Sequence, residues 1–234
     1  MPDELERAPK FGSADRPLTT LHDIDLGQIA VKISSEYNQR TALGKGILTM
    51  STSAVSPVGT VTWKIDPAHS QAEFKVKHMM ISNLKGTFSR LNGTLIEDTT
   101  DPTRSQVEAT IEIGSISTGD DARDTHLKSA DFFHHDQHPV MTFKSTRVEK
   151  KGAEEYTVTG DLTLHGETKP VTFAVEGPSA PGKDPWGNTR IGLSATTKIN
   201  RKDFGLSWNA ALETGGILVG EDVQITLDVQ FIKA

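Results

Sequence analysis

Histidines crowd one short stretch of the chain, at His126, His134, His135 and His138. Neighbouring imidazoles can ligate zinc, nickel or copper. No His-Glu-x-x-His motif is present, however, and His134 to His138 read as loop, so no metal site is predicted. Hydroxyls at Ser70, beside His69, and at Ser207 could serve acyl transfer if Asp131 or Asp203 oriented a histidine. No GxSxG elbow accompanies them and no carboxylate pair has diagnostic spacing. Catalytic residues are therefore not assigned, and no cofactor is predicted. Arg123, Lys128, Arg201 and Lys202 could meet an anionic head group, with Arg123 and Arg201 the stronger candidates.

The chain has 234 residues, no cysteine and a net charge of −6. Without cysteine there is no disulfide framework, thiolate nucleophile or iron–sulfur cluster. The basic residues are scattered singly, which argues against a nucleic-acid groove. No apolar run approaches the roughly eighteen residues of a membrane span, so none is expected. The opening MPDELERAPKFGSADRPLTT lacks an apolar h-region, and the cytoplasm is the expected compartment.

The elements that must position these side chains are mostly strands. Residues 1–56 read as an extension or tail, and Met50 offers an alternative start. From residue 57 onward the pattern has period two, broken by turn signals. Phe74, Val76 and His78 alternate with charged residues. Leu84, Gly86 and Phe88 precede an expected Asn92-Gly93 turn, and Val107 to Ile113 alternate before a parity change attributed to a bulge near Gly114. Met141 and Phe143, then Tyr156 to Leu164 and Val171 to Val175 on either side of a His165-Gly166 turn, continue the series. Ile191 to Ile199 and Val223 to Phe231 complete it.

A helix is expected within residues 120–143, capped by Thr118, with Ala122, His126, Ala130 and the Phe132-Phe133 pair toward the strands and Asp124 and Lys128 toward water. The fold class is all-β: an antiparallel up-and-down eight-stranded barrel with one short helix capping a mouth, a β-sandwich being the alternative. Closure is favoured because strong first and last strands would otherwise leave two adhesive edges.

Several ordered motifs resemble the YceI-like family of lipocalin-like, polyisoprenoid-binding proteins. They are Asp66…His69-Ser70 with Phe74-x-Val76-x-His78 and Gly86-Thr87-Phe88; Arg123-Asp124-x-His126-Leu127-x-Ser129-x-Asp131-Phe132-Phe133; Gly160 to Gly166 with Thr168 to Val171; and Asn200-Arg201-x-Asp203-Phe204-Gly205-Leu206. His134-His135 stands where relatives often carry a single acid. The resemblance implies a barrel over residues 57–234 holding an isoprenoid, an isoprenoid quinone or another long apolar molecule, and it is compatible with a homodimer.

Strands of about ten residues, rising ~3.3 Å each and tilted by about 40°, would enclose a channel on the order of 25 Å long. Candidate ligand-binding residues are Phe74, Val76, His78, Phe88, His126, Phe133, Met141, Phe143, Phe204 and Trp208. Leu193, Val229 and Phe231 join the lining, with Gly86, Ala109 and Ala195 leaving space. Periodicity alone is equally satisfied by an interior filled with its own side chains. A binding protein is the expected function. The alternative is a hydrolase or isomerase acting on a lipid-like substrate, which would be marked by a buried His78 or His126 beside an acid and open to the cavity.

Overall fold

A computed structural model describes residues 59–213 and 215–234. The expected N-terminal extension, with Met50, lies outside these residues. The strands are β1 (Thr60–Ile65), β2 (Gln71–His78), β3 (Ser82–Phe88), β4 (Leu91–Asp98), β5 (Gln106–Glu112), β6 (Ile116–Ser117), β7 (Val140–Lys150), β8 (Glu155–Leu164), β9 (Glu167–Glu176), β10 (Gly182–Lys183), β11 (Thr189–Asn200) and β12 (Val219–Lys233). Among the described residues one α-helix, α1 (Asp121–Lys128), lies between β6 and β7.

Some of these strands are halves of longer staves. β1 and β2 both run antiparallel to β12, β4 and β3 pair with β1 and β2 in turn, and β5 and β6 pair with β4 and β3. The breaks fall at a 3-10 turn over Pro67–His69, at Ser89-Arg90, and at a second 3-10 turn over Ile113–Ser115. With β7, β8, β9, β11 and β12 the wall has eight staves, each antiparallel to its sequence neighbours. β12 closes it, pairing with β11 from Asn200↔Asp222 to Arg190↔Ile232 on one side and with β1 and β2 on the other. An open sandwich would leave one of those sides unpaired. The short β10 pairs only with the start of β11, as a small flap at the rim.

Turn chemistry explains where the chain reverses. His165 and Gly166 have φ of 53° and 80°, the two successive left-handed residues of a type I′ hairpin, joining β8 to β9. The expected Asn92-Gly93 turn is instead interior to β4. Gly93 is there for clearance: a Cβ would lie 2.5 Å from the Glu108 carbonyl and 2.8 Å from Ile65 Cδ1. Near Gly114 the parity change comes from the 3-10 turn, which ends one half-stave and starts the next.

The helix is positioned differently from its expected stripe. Asp120, not Thr118, is the N-cap, accepting from Arg123 N at 2.9 Å. Thr118 donates both its N–H (2.9 Å) and its hydroxyl (2.5 Å) to Asp124, which is buried, while Ala122 and Ala130 are exposed. Asp121, Arg123, Asp124 and Lys128 leave so short a helix no apolar face. Polar bonds to Asp124 and the aromatic pair beyond the helix orient it instead.

On the outer wall, Arg190 of β11 reaches past the C-terminal part of β12 to Asp66 and also donates to Asp184 at 2.7 Å. His69 adds a 2.8 Å contact to Asp66. The Arg190 hydrogen bond lowers the Asp66 carboxyl to about 2, outweighing the opposing effect of burial. At Asp184 burial works against ionisation, but bonds from Arg190 and Asn188 hold its carboxyl below the usual range.

Two outcomes are expected. Asp66 is depressed in the folded state relative to an unfolded value near 3.9, so its contribution is complete above about pH 4 and lost as pH falls toward about 2, amounting to about 1–2 kcal/mol. Acid titration of urea-unfolding midpoints should show this dependence and Asp66→Asn should flatten it. At Gly160 a Cβ would lie 2.4 Å from the Lys144 carbonyl and 2.5 Å from Phe143 Cζ. Gly160→Ala should therefore destabilise by about 1–3 kcal/mol, read from the same midpoints.

Candidate functional site

The inward faces of the staves do not fill the barrel. They enclose a cavity of about 590 Å³, within the ~300–1,000 Å³ of small-molecule sites. Its middle is lined by Phe74, Phe88, Met141, Phe143, Phe173, Leu193, Ile225 and Leu227. Phe74, Phe143, Leu193, Ile225 and Leu227 point inward yet are only half-buried, because part of their surface faces the void. Ala72, Ala109 and Ala195 supply width. Gly86 does not, since the Phe74 ring occupies the place its side chain would take, with Cζ 2.3 Å from an added Cβ.

The two ends differ. At the helix end Leu127, Phe132, Phe133, Leu164 and Leu206 close the channel, and Phe132, Leu164 and Leu206 are buried. The closure is braced by rings: Phe88 meets Phe133 edge-on at 5.9 Å, and Trp208 lies 5.0 Å from Phe132 and 4.9 Å from His126. At the other end the lining runs out to Pro102, Ser105, Ala153, Glu154, Ala180 and Pro181, and Ala153, Glu154, Ala180 and Pro181 are solvent-exposed. The cavity is a blind tube with one open rim.

The structure places Phe74, Val76, Phe88, Phe133, Met141 and Phe143 in this lining, together with Arg201. Five other candidates stand elsewhere. His78 ends β2 opposite Ser82 and Val219, beyond the cavity. His126 is occupied with Asp131, 2.9 Å from its Nε2, and its ring packs against Phe132 and Trp208. Trp208 accordingly braces the plug from behind. Phe204 is buried in the core beneath the 3-10 turn Arg201–Phe204, 2% exposed. Arg123 donates to the Thr118 hydroxyl (2.7 Å) and carbonyl (3.0 Å), fastening the entry to α1. Leu127 also lines the tube but carries no sequence signal, because its neighbours are charged, whereas Tyr156, Val158 and Leu162 share the strand parity that marks them as lining.

Arg201 is 4% exposed, and an isolated charge buried so deeply would be costly without partners. Its Nε donates to the Gly220 carbonyl (2.9 Å), and its terminal nitrogens donate to the Leu206 (2.5 Å) and Val219 (3.3 Å) carbonyls. Burial lowers the guanidinium from its ordinary value and Glu221 partly restores it. This side chain ties the chain on either side of residues 207–218 to the closed end of the tube. The cavity is otherwise sparsely charged. Glu73 pairs with Lys85 at 3.1 Å, Glu97 accepts from Trp63 Nε1 at 2.7 Å, and Glu154 stands at the rim. Among the described lining residues there is no histidine.

The YceI-like domain profile matches residues 63–231. A UPF0312 protein of Staphylococcus aureus (strain bovine RF122 / ET3-1) is 41% identical over 167 residues, covering 71% of this chain and 94% of that protein. The crystal structure of the Campylobacter jejuni YCEI protein aligns with a TM-score of 0.57 at 27% identity, covering 82% of this chain and 99% of that one. A polyisoprenoid binding domain from Saccharophagus degradans aligns with a TM-score of 0.54, covering 74% and 99%. At 18% identity that likeness shows the fold alone.

Removing the Arg201 side chain would take the donor from the Gly220 and Leu206 carbonyls in a buried setting, while the Val219 carbonyl would keep its 2.7 Å bond from Asn209 Nδ2. Arg201→Ala should cost about 2–4 kcal/mol, measured by chemical denaturation.

Proposed function

The chain belongs to the YceI-like family, and we propose that its barrel binds, and thereby sequesters or transports, one long apolar molecule such as a polyisoprenoid or an isoprenoid quinone. The observation that carries this reading is the ring of inward, half-buried apolar side chains around 590 Å³ of unfilled space. A stable interior packs to near crystalline density, so apolar walls facing a void are unsatisfied until a guest meets them.

Size narrows the guest. If each carbon takes about the ~30 Å³ share of a water molecule, 590 Å³ accommodates on the order of twenty carbons. Burying about ten CH₂ equivalents at ~0.8 kcal/mol each gives ~8 kcal/mol gross, more than any single polar contact supplies. Charge narrows it further. Arg201 already donates to three carbonyls at the closed end, and among the described residues the lining near the rim carries Glu97 and Glu154 with no cation. The apolar end therefore enters first, and an uncharged head group such as a quinone suits the rim better than a diphosphate. Turnover of a lipid-like substrate by general acid–base chemistry would call for a cavity-facing histidine beside an acid, and among the described lining residues the acids Glu73, Glu97 and Glu154 have no histidine with them.

Organic extraction of the purified protein followed by lipid mass spectrometry is expected to release a prenyl or other long-chain species. Repeatedly empty extracts, together with no binding of a fluorescent prenyl probe, would overturn the reading. Ala195→Trp, which fills the tube from β11, should weaken probe binding by about tenfold or more while leaving the far-ultraviolet dichroism unchanged. An affinity equal to that of the parent chain would place the probe outside the barrel.

A further inference from the structure

Behind the plug, on the outside of the tube, three histidines from two distant parts of the sequence come together. His134 and His138 lie between α1 and β7, and His165 occupies the type I′ turn between β8 and β9. All three are half-buried, and one ring nitrogen from each lies within 4.8 Å of the other two. The ring centroids are 5.0 Å apart for His138 and His165, 6.0 Å for His134 and His138, and 6.5 Å for His134 and His165. We propose that these residues ligate a divalent transition-metal ion, zinc in the first instance, and that the ion staples the plug of the closed end to the barrel wall.

The local backbone presents the ligands. His138 N donates to the His134 carbonyl at 2.9 Å, so the segment makes one helical turn and both imidazoles emerge on one side of it. His134 and His165 both have left-handed φ, 49° and 53°, a region few side chains occupy. Gly166 lets the rings close up, since a Cβ there would lie 2.8 Å from His138 Cε1.

The donor chemistry fits the ion. His165 Nδ1 is 3.2 Å from the Phe204 carbonyl, which can only accept, so this nitrogen carries the proton and the Nε2 lone pair is available. A ligand imidazole whose other nitrogen donates to a backbone carbonyl is the usual outer support of a zinc site. His69, His126 and His135 each lie beside a carboxylate, at 2.8, 2.9 and 3.7 Å, whereas among the described residues none of the three clustered rings has one. Zinc–nitrogen bonds of about 2.0–2.1 Å in a tetrahedron set nitrogens about 3.3 Å apart, which small ring rotations within the 4.8 Å cluster can reach. Three imidazoles leave the fourth position for water or another small ligand.

The location supplies the consequence. Phe132 and Phe133, which close the tube, immediately precede His134, while His165 belongs to the wall. A metal bridging the two would resist withdrawal of the plug.

The test uses the full-length chain, untagged and stripped with chelator. Titrated zinc should bind one ion per chain and raise the thermal midpoint, and cobalt should give the visible absorption of a four-coordinate site. His165→Asn and His134→Asn suit the left-handed backbone while removing a ligand. Each should weaken zinc binding by about 10–100-fold or more and abolish the thermal shift, and His138→Gln provides the same test without touching a left-handed position. His135→Asn should bind as the parent does. Zinc should also slow tryptic cleavage after Lys128 in the parent chain and not in the ligand variants. Substoichiometric zinc in the parent, or unchanged affinity in folded ligand variants, would overturn the site. Unchanged cleavage despite tight binding would overturn the staple.

Discussion

The structure depends on the closure of β12, whose two edges are paired with the start and the end of the same wall. Backbone hydrogen-bonding groups must be satisfied once removed from water, and an eight-stave meander achieves this only if its last stave meets its first. Closing it fixes the girth. Asp66, Arg190 and Asp184 then clamp the seam from outside. The broken staves allow their halves to bend over the interior, and the 3-10 turns at Pro67–His69 and Ile113–Ser115 are where that bend is taken up.

A girth set by stave number rather than by side-chain volume explains the cavity. Where large residues face small ones, as Phe74 does Gly86 and Phe143 does Gly160, the interior is filled locally. Where alanines face the axis at residues 72, 109 and 195, nothing crosses the gap. Two apolar clusters then divide the labour. Phe88, Phe132, Phe133 and Trp208 seal the helix end, while Trp63, Ile191, Val229 and Phe231 consolidate the wall where β1, β11 and β12 meet.

Strand parity made the wall and much of the lining legible, because one face of every stave had to be apolar. Val223 to Phe231 is the clearest example: each alternate residue lines the tube. The same rule failed at α1. Its orientation rests on Asp124 accepting two bonds from Thr118, and a buried carboxylate carries no hydrophobic signal. Arg201 was readable as a cation but not as a buried one, since its three carbonyl partners come from residues 206, 219 and 220. His165 looked like half of a turn dipeptide, and its approach to His134 and His138 exists only once β8 and β7 are neighbours.

A tube closed at one end has a kinetic personality that a groove lacks. Whatever lies in it must leave by retracing its entry, withdrawing its length through the rim flanked by Ala153 and Pro181. Each methylene drawn back into water costs ~0.8 kcal/mol, roughly a fourfold change in rate if the exit barrier bears it fully. Entry begins at the rim for chains of any length. Residence time, rather than capture, would then discriminate among guests, and a short chain would be gone while a long one was still inside.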